Sequence, residues 1–158
     1  MILLDTSILI DLFRKKNRQN NPQIKKQEDQ DYISKIHQAL ILGIQDYFGK
    51  MGFKKAVLGL SGGIDSALVC ALAVEALGKE NVRGLLMPSR YSSDHSVADA
   101  IQLAENLGIQ HDIVPIQNMV DEFETQLSPM FGNLPAGVAE ENIQARTRGI
   151  LVMAISNK

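Results

Sequence analysis

Leu58-Gly59-Leu60-Ser61-Gly62-Gly63-Ile64-Asp65-Ser66 links a short apolar run, Ala56-Val57-Leu58, to a longer one, Ala67 to Leu77. The first run reads as a strand and the second as a helix, so the stretch is a strand–loop–helix unit. Two adjacent glycines carry no Cβ. The turn can therefore take dihedrals closed to other residues and let a polyphosphate approach the backbone. The helix that follows aims its unpaired N–H groups and the positive end of its dipole at the same point. Ser61 and Ser66 offer hydroxyl donors. Asp65 offers one carboxylate, which suits a magnesium ion bridging to phosphate.

The loop lacks the Lys-Ser/Thr pair of a Walker A motif, since Ile64, Asp65 and Ser66 follow Gly63. Its glycine spacing also differs from the G-x-G-x-x-G dinucleotide fingerprint. Downstream of it, strands alternate with helices. Val82 to Met87 reads as a strand stopped by Pro88. Asp94 to Leu107 reads as a helix capped by Ser93, lined inward by Val97, Ile101 and Ala104 and closed by Gly108. His111 to Ile116 reads as a strand. A short helix is expected over 119–127 with Val120, Phe123 and Leu127 inward, then a loop holding Pro129, Gly132, Pro135 and Gly137. The last helix starts near Ala139. Upstream, Ile33, Ile36, Leu40, Ile44 and Phe48 follow a 3.6 period, so residues 31–48 read as a helix with Gly49 just past its end. The pattern predicts an α/β fold: a partial doubly wound parallel sheet of three or more strands with flanking helices, and a ligand at the C-terminal ends of its strands.

With 158 residues the chain can bury a real core, and 45% hydrophobic and 22% charged residues describe a globular protein. A net charge of −2 gives no reason to expect nucleic acid or an anionic membrane as partner. No apolar run is long enough to span a bilayer. The apolar first residues are interrupted by Asp5 and Asp11 and lack a preceding basic region, so a secretory signal is not expected. The single cysteine, Cys70, sits in Ala67-Leu68-Val69-Cys70-Ala71-Leu72 and reads as a small buried residue of a reducing, cytoplasmic protein. His95 and His111 have no partners at metal-ligand spacing and read as surface or helix-start residues.

The S-G-G-x-D-S pattern resembles the pyrophosphate loop of the N-type ATP pyrophosphatases, which cleave ATP between its α- and β-phosphates. Two further segments narrow the resemblance: Leu85-Leu86-Met87-Pro88-Ser89-Arg90-Tyr91-Ser92-Ser93 and Glu140-Glu141-Asn142-Ile143-Gln144-Ala145-Arg146-Thr147-Arg148-Gly149. In this order the three resemble NAD synthetase, nearest the synthetase domain of the glutamine-dependent type, over residues 31–158. The resemblance implies an adenine nucleotide alpha hydrolase-like, Rossmann-like fold. It implies a ligase that adenylates the nicotinate carboxylate of deamido-NAD with ATP, releases pyrophosphate, and lets ammonia displace AMP. In the family that ammonia comes from glutamine through a separate amidase domain. Carried over, Gly59, Leu60, Ser61, Gly62, Gly63, Ile64, Asp65 and Ser66 would bind ATP, with Asp65 the magnesium ligand. Leu86 and Met87 would lie by the adenine. Asn142 and Arg146 would line the deamido-NAD side, and their i, i+4 spacing puts them on one helix face. A homodimer or other self-association is expected, without nucleic acid or membrane as partner.

Two departures qualify the resemblance. The family continues past the last helix into a strand and a Thr-Gly-Asn-Lys-Ser-Glu segment, whereas this sequence stops at Ser156-Asn157-Lys158. On that ground only part of the site is expected, with one edge of the strand at Ala56–Leu60 and the apolar run 150–155 left poorly covered. At the other end, Met1 to Phe13 resembles the opening of PIN-domain ribonucleases, with Asp5 as a metal-binding acid. Residues 1–17 thus read as a PIN-like leader, 18–30 as a polar linker and 31–158 as part of an ATP-pyrophosphatase domain. The competing readings are a PIN-type metal-dependent ribonuclease remnant using Asp5 and Asp11, and a non-catalytic ATP-binding or assembly module. The tRNA-thiolating pyrophosphatases fit less well, because they use reactive or metal-binding cysteines.

Overall fold

The computed structural model describes residues 2–3, 22–132 and 134–158, with the backbone alone for 2–3 and 22–29. The elements in chain order are β1 (Ile2–Leu3), α1 (Pro22–Met51), β2 (Ala56–Leu60), α2 (Ile64–Leu77), β3 (Val82–Leu86), α3 (Asp94–Leu107), β4 (Gln110–Ile113), α4 (Gln117–Phe131) and α5 (Val138–Ser156), with a 3-10 turn at Lys79–Asn81. The strands form one sheet in the order β1-β2-β3-β4. Every pairing is parallel; Ala56 stands beside Val82 and Leu60 beside Leu86.

Alternation along the strands builds two cores. Leu58, Leu60 and Leu86 pack on Val69, Cys70 and Ala73 of α2 and on Ala100 and Ala104 of α3. Val57 and Leu85 sit in the second core, with Ile116, Val120 and Val152. Outside the first layer, Ile44 and Phe48 of α1 pack against Ala56 and Leu72. Helices thus cover both sheet faces, and α2 is buried between α1 and the sheet, as its nearly all-round apolar sequence requires. Each fully buried leucine or valine contributes about 1.5–3 kcal/mol relative to an exposed one.

The expected helix signals at α3 are all present. Ser93 Oγ accepts from the Ser96 N–H at 3.2 Å, and Gly108 takes the left-handed conformation at φ 66°. Elsewhere the structure corrects the sequence. Helix α1 begins at Pro22, earlier than the expected 31, and runs through Gly49 to Met51, with Gly52 following at φ 71°. Helix α4 is longer than expected and keeps Pro129 in its last turn, where the missing N–H costs one hydrogen bond and does not break the helix. Only Val120 of α4 is buried, while Phe123 is 44% exposed, so α4 meets the sheet at its N-terminal end alone. The sheet edge expected to stand open beside β2 is paired for two residues, Ile2 with Ala56 and Leu3 with Val57. The apolar run on α5 is only partly covered: Val152 is buried while Ile150 and Met153 are about half exposed.

Asp5, Asp11 and the PIN-like reading built on them lie outside the described residues. Among the described residues no helix is long and apolar enough to cross a membrane.

Candidate functional site

The loop between β2 and α2 is held by a closed set of hydrogen bonds. Ser66 Oγ donates to the Gly63 carbonyl at 2.9 Å and accepts from the Ser61 N–H at 3.3 Å. Its only proton is thereby spent, so in the 3.1 Å contact between the two hydroxyls Ser61 is the donor. Ser61 Oγ in turn accepts from the Gly63 N–H at 3.3 Å. Ser66, read from the sequence as a donor to phosphate, is buried and acts as the tie that shapes the loop. The first-turn N–H groups of Ile64, Asp65 and Ser66 have no intrahelical acceptor and form the positive end of the α2 dipole. Ile64 is 80% exposed, so only its backbone belongs to this cradle. The Asp65 carboxylate is exposed in the first turn of α2, with no partner among the described residues.

Gly62 holds φ 74° and lies against the first turn of α3. The loop therefore opens onto a cleft between α3 and α5 at the C-terminal ends of β2 and β3, about 510 Å³ in volume. Its apolar walls come from Gly59, Leu60, Leu86, Met87, Val97 and Val152; its polar rim from Ser61, Ser92, Ser96 and Arg148. Met87 reaches across β2 because Gly59 has no side chain: a Cβ there would stand 3.1 Å from Met87 Cε. A narrow apolar slot beside a polar loop suits a flat heterocycle carrying phosphates.

The structure brings the loop, Leu86 and Met87 together and leaves Asn142 and Arg146 apart. Those two share one face of α5, as their spacing requires, but it lines a separate groove against Phe123 of α4, about 330 Å³ in volume. Arg148 is the residue sequence reasoning missed. It stands two positions from Arg146, hence on nearly the opposite side of α5, in the stripe Gln144–Arg148–Val152 that faces the sheet. Gln144 and Val152 are both buried, so an i, i+4, i+8 stripe anchored on Val152 was the available signal. Arg148 Nε donates to the Met87 carbonyl at 3.1 Å, and partial burial pushes its pKa down from the ordinary value. No carboxylate pairs with it among the described residues, so the cleft keeps a positive charge. Cys70 of α2 is fully buried in the first core, and burial pushes its thiol pKa up to about 11, which fits a packing role.

The NAD synthase family matches residues 35–158. The glutamine-dependent NAD(+) synthetase of Synechocystis sp. is 59% identical over 123 residues, which cover 78% of this chain and 22% of that protein. Its Thermotoga maritima counterpart is 51% identical over 123 residues, 78% of this chain and 21% of that one. Among solved structures, a glutamine-dependent NAD+ synthetase from Acinetobacter baumannii, in complex with ADP, superposes with a TM-score of 0.75 at 47% identity, covering 77% of this chain and 23% of that chain. An NH3-dependent NAD synthetase from Campylobacter jejuni superposes with a TM-score of 0.70 at 37% identity, covering 78% and 52%. The chain spans about a fifth of the length of the curated relatives it matches. The parallel sheet, the S-G-G-x-D-S loop at its C-terminal edge and a family match over most of the sequence agree, and the chain belongs to the NAD synthase family.

Proposed function

We propose that the cleft binds ATP, with the pyrophosphate over the Ser61–Ser66 loop and the adenine against Leu86 and Met87. The chain would thereby take part in the ATP-dependent amidation of deamido-NAD to NAD. The observation that carries this reading is the position of the loop: glycine backbone and a helix N-terminus at one end of an apolar slot that ends in a fixed cation. A nicotinate carboxylate oxygen attacks the α-phosphorus, the bond to the bridging oxygen of the β-phosphate breaks, and pyrophosphate leaves. Ammonia then attacks the acyl carbon, the bond to the AMP oxygen breaks, and one proton is released. The loop N–H groups hold the leaving pyrophosphate, so the charge that develops meets donors already in place.

Asp65 is the residue suited to magnesium. Among the described residues no group of three or more His, Cys, Asp or Glu could hold a metal. One exposed carboxylate beside a phosphate cradle fits an ion held mainly by phosphate oxygens and water. Asp65 would help hold such an ion, which would supply positive charge against the phosphates. Calorimetric titration of the chain with ATP, with and without magnesium, tests the reading. Binding that requires magnesium and weakens in Asp65→Ala supports it; no binding by a folded sample contradicts it.

On the family resemblance, Asn142 and Arg146 are assigned to deamido-NAD, with glutamine-derived ammonia as the second substrate. Their groove lies apart from the ATP cleft, so this assignment rests on the resemblance alone. Arg146→Ala should then weaken deamido-NAD binding and leave ATP binding unchanged. Half-exposed Ile150 and Met153 on α5 support self-association. Sedimentation tests it, and a monomer at all concentrations contradicts it.

A further inference from the structure

We propose that Ser89, Gln144 and Arg148 form a positioning group that fixes segment 88–92 at the rim of the cleft and through it sets the grip on the base end of the nucleotide. The second half rests on the ATP reading given above. Pro88 and Ser92 line the cleft, so the segment's position shapes the slot.

The segment is a turn closed on itself: the Ser92 N–H donates to the Ser89 carbonyl at 2.9 Å, and the Ser89 N–H to Ser92 Oγ at 3.0 Å. The Pro88 carbonyl accepts from the N–H of buried Ile116 at 2.9 Å, and side chains attach the turn itself to the body on two sides. On one side Arg90 reaches α4: its N–H donates to Gln117 Oε1 at 2.7 Å and its guanidinium to Glu124 at 2.7 Å. Gln117 and Glu124 are half-buried, but these bonds lie at the surface, where water reaches them. On the other side the attachment is part-buried. Ser89 Oγ donates to Gln144 Oε1 at 2.9 Å and accepts from the Tyr91 N–H and from Arg148 Nη2, both at 3.4 Å. One proton and two lone pairs are all a hydroxyl has, so Ser89 is saturated. Arg148 also donates to the Met87 carbonyl, at the last cleft residue before the turn. A single side chain on α5 thereby holds both the end of β3 and the turn that follows. Gln144 is only 8% exposed, so loss of its acceptor is not made good by solvent.

Hydrogen exchange on the full chain tests the positioning group without a ligand. Gln144→Leu keeps the volume and removes the acceptor. Exchange across 88–92 should rise about tenfold, the effect of losing one hydrogen bond, while 61–66 stay as protected as in the parent. Gln144→Glu restores an acceptor for Ser89 and should restore protection. Titration supplies the second readout: Gln144→Leu should weaken magnesium-ATP binding about three- to tenfold and leave inorganic pyrophosphate binding unchanged. Unchanged exchange at 88–92 in Gln144→Leu overturns the proposal, as does an equal loss of ATP and pyrophosphate affinity. If the parent chain binds no ATP, the ATP reading and the second half of the proposal fall together. The exchange comparison still judges the first half.

Discussion

The backbone of Gly62 packs directly on that of Ser96: a Cβ at position 62 would lie 2.8 Å from Ser96 Cα, and Gly62 itself holds φ 74°. The phosphate-type loop is therefore seated on the first turn of α3 as well as tethered to α2. Gly62→Ala meets both a disfavoured dihedral and a rigid neighbour. It should cost about 1–3 kcal/mol of stability and move the loop enough to abolish ATP binding. Gly43→Ala, with open space around it on α1, should instead stabilise by about 0.5–1 kcal/mol. Urea denaturation of the two variants makes the comparison.

Ser66 ties the loop through three contacts, and its side chain is buried. Ser66→Ala should cost about 1–3 kcal/mol, because the Gly63 carbonyl and the Ser61 groups lose their partner. Ser61→Ala should cost less, since Ser61 is exposed and water can take its place. Thermal melts rank the two. Equal losses would contradict the hydrogen-bond assignment.

Cys70 makes stability depend on pH in the alkaline range. Its thiol pKa is raised by burial from 9.0 to about 11, so the unfolded chain ionises first. The stability held by the protonated thiol is complete below pH 9 and is lost as pH rises toward 11, at about 1.4 kcal/mol per pH unit. Denaturation at pH 8 and pH 10 should show a steeper loss for the parent than for Cys70→Ala. The same burial should keep the thiol unreactive toward Ellman's reagent until the chain unfolds.

Much of this was legible in the sequence because local rules and tertiary packing agree. Ser93 and Gly108 cap α3 where capping chemistry puts them, and Gly78 closes α2. Where the sequence misled, tertiary context outweighed a local signal. Gly49 resembles a helix stop, but buried Phe48 anchors α1 to Ala56 and Leu72 and the helix continues for another half-turn. Phe123 follows the inward stripe of α4, yet the sheet does not extend beneath that end of the helix. Arg146 and Arg148 are close in sequence and nearly opposite on α5. Only the packing of Gln144 and Val152 shows which arginine faces the cleft.

On the proposed reading one end of the cleft takes phosphates and the other a purine. An amide-resolved NMR titration with magnesium-ATP tests it most directly. The largest shifts are expected at Gly62, Gly63, Ile64 and Asp65, a second group at Leu86 and Met87, and none at Asn142 or Arg146. Pyrophosphate alone should reproduce the first group without the second. Shifts centred on the α4–α5 groove, or none at Gly62–Asp65, would contradict it.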